Sequence, residues 1–355
     1  MQKKLIVAAV AAAFALPVPA LADSLMLYGK INVDVESVKS DKVANTAADA
    51  SSLNRVQSNA SRFGFKGSED LGGGLKTVYQ FETQIDTVND KNAKTPFNGV
   101  RNSEIGLQGG FGTIFAGNWD SPYKVAHNKL ELFDNTTVFT TNALVGVTGN
   151  GKSYVTRQNN VIEYMSPNMG GLTVQVAYSM DSGKTATQNK TTTSVAGMYE
   201  NDMLYAALAY ETRADQTTLG KSDSATRLVA AFKYPNGLIG VTLEKMSVAV
   251  STGTTASQNN TELVGTYNTG PSSFGIAYAK DGDYNSVSDT GANQLSLRYG
   301  YSFTKATELY AAYTAISNGN ATAVYGFNAS APTVAPTRAV GAKQTGLGLG
   351  LIHSF

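Results

Sequence analysis

The chain has 355 residues, 28 Lys+Arg against 27 Asp+Glu, and no cysteine. A formal charge of +1 excludes the basic footprint of a nucleic-acid binder, and the lack of cysteine excludes a disulfide-stapled fold. Glycine (35) and tyrosine (18) are frequent, among many Asn, Thr and Ser, a mixture that favours alternating strands and polar loops over long amphipathic helices.

Lys3 and Lys4 precede an unbroken apolar run from Leu5 to Leu16, and Ala20-Leu21-Ala22 offers small residues for cleavage. Residues 1–22 read as a secretory signal peptide, because the run is too short to span a bilayer. Two of the 28 basic residues fall in this segment, which leaves 26 against 27 acids in residues 23–355.

The first strand is LMLYGKINVDVESV (25–38), with Leu27, Ile31, Val33 and Val35 on one face and Lys30, Asn32, Asp34 and Glu36 on the other. Strand pairs around short turns follow. SRFGFKG (61–67) pairs with LKTVYQFE (75–82), and SEIGLQ (103–108) with GTIFAG (112–117). After a longer gap, VIEYM (161–165) pairs with LTVQVAYS (172–179). Four more pairs turn near residues 201, 236, 270 and 305, and TGLGLGLIHSF (345–355) closes the series. Seven hairpins with a first and a last strand make sixteen strands. An even count, short turns at one end and long loops at the other is the plan of a transmembrane β-barrel.

Outward faces are apolar and inward faces polar, the inverse of a soluble barrel. Tyr199, Tyr205, Phe232, Tyr234, Tyr267, Phe274, Tyr301 and Phe303 fall beside the short turns and are expected to form a girdle at one membrane interface. The segment from Trp119 to Thr156 breaks the rhythm. It ends in GVTGNGKS (146–153), which fits the phosphate-binding pattern G-x-x-x-x-G-K-[ST]. No buried strand precedes it and no helical stripe follows, so it reads as the tail of a Gly-rich loop. His127 and His353 have no ligand-spaced partners, and no Ser/His/Asp constellation is present. No cofactor and no enzymatic activity are expected.

LYGKIN (27–32), SRFGFKGSEDLGGGLKTVYQFET (61–83), GLQGGFGTIFAGNWDSPY (106–123), RQNNVIEYMSPNMGGL (157–172) and the terminal GLIHSF (350–355) together resemble the trimeric general porins of Gram-negative outer membranes, in their beta-proteobacterial and neisserial branch. The resemblance implies an all-β, 16-stranded antiparallel transmembrane β-barrel with short periplasmic turns, long outer loops and a third loop folded into the pore. It implies a homotrimer in outer-membrane lipid. It also implies passage of ions and small hydrophilic solutes, with Phe355 as the signal read by the barrel-insertion machinery. In similar porins, arginines at the positions of Arg62, Arg101 and Arg157 line the constriction, with an acid at the place of Glu82.

Parity puts Arg62, Lys76 and Glu82 on the inward face and gives Arg157 the parity of inward Glu163. Asp120, Glu131 and Asp134 sit in the expected pore loop. A basic wall facing an acidic loop would set a transverse field. Arg101 conflicts with strict alternation from Ile105 and Leu107, which would put it on the lipid face, so a bulge or an early loop end is required there. The three arginines lean the balance toward anions. The small-residue face of the last strand, Gly346, Gly348 and Gly350, would allow close packing between copies. An alternative reading is a barrel that displays its loops for adhesion or binding.

Overall fold

The computed structural model describes residues 24–43, 51–88, 97–133, 137–216, 220–251, 254–321, 325–327 and 339–355. The expected signal peptide, Asp134 and most of the Ala-, Pro- and Thr-rich stretch 318–336 lie outside the described residues.

Among the described residues, eighteen strand segments run in chain order: β1 (Ser24–Ser40), β2 (Ser52–Ser58), β3 (Arg62–Gly72), β4 (Leu75–Ile85), β5 (Phe97–Val100), β6 (Ser103–Gly109), β7 (Gly112–Asp120), β8 (Arg157–Met165) and β9 (Leu172–Ser179). The series continues with β10 (Thr192–Glu200), β11 (Leu204–Ala214), β12 (Ser222–Tyr234), β13 (Gly237–Ser251), β14 (Thr254–Thr269), β15 (Ser272–Asp281), β16 (Ala292–Ser302), β17 (Thr307–Asn318) and β18 (Lys343–Ser354). They form one sheet. It closes where β1 pairs antiparallel with β18, from Lys30 opposite Ser354 to Ser40 opposite Gln344. Closure leaves no unpaired edge in lipid.

Eighteen segments make sixteen barrel strands because two are interrupted. β2 and β3 both pair with β1, and the break at Asn59–Ser61 carries Ala60 at φ 47°. β5 and β6 both pair with β4, and the break falls at Arg101 and Asn102. The register on β4 slips between Thr83 and Ile85. This is the irregularity that Arg101 demanded.

The faces alternate as the sequence predicts. On β1, Asn32, Asp34 and Glu36 are buried inside while Ile31 and Val35 are exposed outside. Leu347, Leu349 and Leu351 are exposed on β18. Of the expected girdle, Tyr199, Phe232, Tyr267, Phe274, Tyr301 and Phe303 are exposed. Tyr205 is a correction. It is 3% exposed and turned inward, where its hydroxyl donates to the Ala126 carbonyl at 2.8 Å. Leu204, one residue earlier, takes the outward place.

After β7 the chain turns into the barrel. Ser121 caps a short helix, α1 (Pro122–Val125), by accepting from the Lys124 N–H, and proline occupies the first turn where no N–H is needed. Thr140 caps a 3-10 turn at Thr141–Ala143. Two apolar clusters seat this inserted loop on the wall. Tyr123, Ala126 and Leu130 pack on Ala196, Ala207, Ala225 and Ala277. Phe133, Val138, Phe139 and Leu144 pack on Ala279, Ala292 and Ala312. Alanine at these inward positions leaves the depth the loop fills. Gly346 and Gly348 of β18 serve the same purpose, and Gly350 makes room for the inward Tyr310 of β17, so the idea that these glycines pack against another copy is corrected. A Cβ on Gly348 would lie 2.5 Å from Phe139 Cζ.

Candidate functional site

The wall behind the inserted loop holds it by buried polar groups. Glu244 accepts from the Tyr123 hydroxyl at 2.9 Å and from the Gly146 N–H at 2.7 Å. Arg227, fully buried, donates Nε to Glu244 at 2.6 Å and Nη1 to the Tyr123 carbonyl at 2.7 Å. Its guanidinium lies 4.1 Å from the Tyr123 ring centroid. His127 Nε2 meets Glu262 Oε2 at 2.6 Å, and Thr141 donates to the other oxygen at 2.6 Å. Burial alone would lower the His127 pKa; the Glu262 carboxylate overrides it and holds the imidazole above its usual value. Gln294 and Ser296 donate to the carbonyls of Thr140 and Phe139 at 3.0 and 2.6 Å.

These contacts also dispose of the phosphate-loop match. The Gly146 N–H is already bonded to a carboxylate and the Gly149 N–H to Gln258 Oε1. Val147 pairs with Ser153 across a tight turn, and Thr148 N–H donates to the Lys152 carbonyl. A hairpin whose first amide faces an acid is the opposite of a phosphate cradle.

The opposite wall carries the predicted charges. Glu82 is the hub of one group. It accepts from Arg101 Nε at 2.6 Å and from the Tyr28 hydroxyl at 3.1 Å, and Arg62 Nε lies 3.8 Å away. Asp120 is the hub of a second. It accepts from Lys124 Nζ at 2.7 Å, with Arg157 Nη2 at 3.3 Å. Arg157 also donates to Asn102. Glu131 is turned back into its own loop and accepts from Phe133 N–H, Thr140 and Asn142. Burial raises its pKa. Burial lowers that of Lys124, against the pull of Asp120.

Arg62, Glu82, Arg101, Asp120, Lys124, Glu131 and Arg157 all line one cavity of about 970 Å³. Lys76 is elsewhere. It is exposed near the short turn, across from Asp70 and Gln108. Phe355 sits at the barrel seam. Its N–H and carbonyl both bond Gly29, at 3.0 and 2.9 Å, and its ring lies over that glycine.

A closed barrel with a loop laid across its lumen and a charged cavity at the loop's edge calls for comparison with known proteins. The family described as Gram-negative porin matches residues 8–321. The chain belongs to the Gram-negative porin family. It is an outer-membrane channel, and its lumen is the water-filled path. Outer membrane porin protein 32 of Delftia acidovorans is 28% identical over the full length of both chains. The major outer membrane protein P.IB of Neisseria gonorrhoeae is 34% identical over half of this chain and 48% of its own. Among solved structures, the anion-selective porin from Comamonas acidovorans superposes with a TM-score of 0.81 at 26% identity, covering 94% of this chain and 99% of that one. The trimer form of OmpT from Vibrio cholerae superposes with a TM-score of 0.70 at 14% identity, over 94% and 99% of the two chains, and shares the fold.

Sequence reasoning missed Lys124 and Asn102. Lys124 had a signal, since Asp120-Ser121-Pro122 followed by a lysine four residues after the aspartate describes a capped turn that returns Lys124 to Asp120. Arg157 arrives by a different route from the parity argument. The register between β7 and β8 slips between Gly117 and Trp119, with Asn160 at φ 49°. Arg157 reaches the cavity as the first residue of β8.

Proposed function

We propose that this porin is an anion-preferring diffusion channel for ions and small hydrophilic solutes, with Arg62, Arg101, Arg157 and Lys124 facing Glu82, Asp120 and Glu131 at its constriction. The observation that carries the reading is the convergence of these seven groups on one cavity. Four cations meet three carboxylates there, and burial raises the pKa of one of the three, Glu131. In a low-dielectric bore such an excess attracts anions and repels cations. The likeness to a porin titled anion-selective supports the sign.

The protein works as a homotrimer in outer-membrane lipid, as the OmpT trimer form suggests by analogy. Loss of residues 1–22 precedes assembly of the barrel, 23–355, and Phe355 serves the insertion machinery. Lys76 contributes to the periplasmic mouth instead of the constriction.

Current through a planar bilayer under a salt gradient tests this. The expected record has conductance steps in groups of three and a reversal potential on the anion side. A cation-side reversal would keep the channel and transfer control to Asp120 and Glu131. Folded protein that gives no steps would overturn the diffusion reading.

A further inference from the structure

The channel's one tryptophan is at the constriction. Trp119 is the penultimate residue of β7 and lines the charged cavity. Its ring packs edge-on against Phe115, centroids 5.1 Å apart at 63°. Phe115 is 3% exposed, so Trp119 rests on a fixed backing and is itself half-buried. Asp120, the next residue, carries Arg157 and Lys124. Ala143, Val147 and Val155 of the inserted loop add apolar surface to the same cavity.

A bore that only passes hydrated ions gains nothing from this, because apolar lining at a constriction opposes wetting. An indole face beside a cluster of guanidiniums suits a different solute. A carboxylate is taken by arginine through charge-assisted hydrogen bonds, and a flat ring by the tryptophan. We infer that Trp119 is a specificity-determining residue that favours monocarboxylates bearing a flat ring over equally charged anions without one. The inference rests on the anion reading above and adds a solute class to it.

Because Trp119 is the sole tryptophan, its emission reports this site in the native, full-length protein. Phenylacetate is expected to give a saturable emission change at concentrations where acetate gives none. In bilayers, phenylacetate should slow chloride current with a half-blocking concentration roughly two- to tenfold below that of acetate. Trp119→Ala should erase that difference and Trp119→Phe should keep most of it. Benzyl alcohol, a neutral ring, isolates the aromatic half. Arg101→Gln with Arg157→Gln should weaken the phenylacetate response several-fold and spare that of benzyl alcohol. Identical responses to acetate and phenylacetate, or an undiminished preference in Trp119→Ala, would overturn the proposal. A phenylacetate response indifferent to the arginine substitutions would overturn its carboxylate half, whereas a cation-side reversal potential in the parent channel would overturn the anion reading on which the inference rests.

Discussion

The two halves of the barrel's inner wall use the same chemistry for opposite ends. On β12, β13 and β14, Arg227, Glu244 and Glu262 are buried and committed to holding the loop. Arg227 and Glu244 are 0% and 5% exposed and bond the loop backbone as well as each other. From β3 to β8 the arginines stay partly exposed, with side chains 23%, 15% and 19% exposed at Arg62, Arg101 and Arg157, and border open space. Arg62 lies 3.8 Å from Glu82, and Arg157 lies 3.3 Å from Asp120. A buried ion pair that loses one partner leaves a charge with no water to solvate it. An exposed pair that loses one partner changes mainly the field around it. One wall therefore sets the shape of the channel, and the other sets its preference.

The largest expected effect comes from breaking the holding wall. Arg227→Met should destabilise the detergent-folded barrel by about 3–5 kcal/mol, read as a lowered thermal midpoint, and make the open current noisy. A midpoint and noise level like the parent's would erase the contrast between the walls. Gly348→Val comes next. Its added carbons meet Phe139, and overpacking costs about 1–3 kcal/mol. The displaced loop should alter single-channel conductance while leaving the reversal potential on the anion side. If conductance stays at the parent value, the glycine stripe is not the loop's seat.

Changes on the other wall should be smaller in stability and larger in selectivity. Arg157→Gln should move the reversal potential toward the cation side with little change in the thermal midpoint. Acidification should act in the opposite direction. Glu131, its pKa raised by burial, takes up a proton before ordinary carboxylates do, so the constriction gains net positive charge and anion preference rises as pH falls from neutral. Alkalinisation should reduce that preference, because Lys124 has a lowered pKa and loses its charge before ordinary lysines do. Glu131→Gln should flatten the acidic limb of a reversal-potential titration. The least effect belongs to Lys76→Gln, which should leave the reversal potential unchanged within error, since Lys76 lies outside the charged cavity.

The barrel was legible because its signals are local. Period-two alternation, glycine turns such as Gly72-Gly73-Gly74 and an even strand count need no tertiary information. Even the irregularity at Arg101 was legible, as a charge whose parity conflicted with its neighbours. The holding wall was not. Glu244, Glu262 and Arg227 look on their strands like any inward charge, and only the path of the inserted loop tells which are committed. Tyr205 shows the same limit, since an aromatic beside a short turn reads as girdle until the Ala126 carbonyl is found above it. Lys124 escaped because a four-residue helix leaves no periodic stripe.

The division between the walls is tested most directly by single-channel recording in a salt gradient, with Arg101→Gln/Arg157→Gln and Arg227→Met side by side. Each trace yields a reversal potential and an open-state noise. The account predicts that the first variant shifts the reversal potential with quiet current, and that the second keeps an anion-side reversal with noisy current. The opposite pattern, or equal shifts in both, would contradict it.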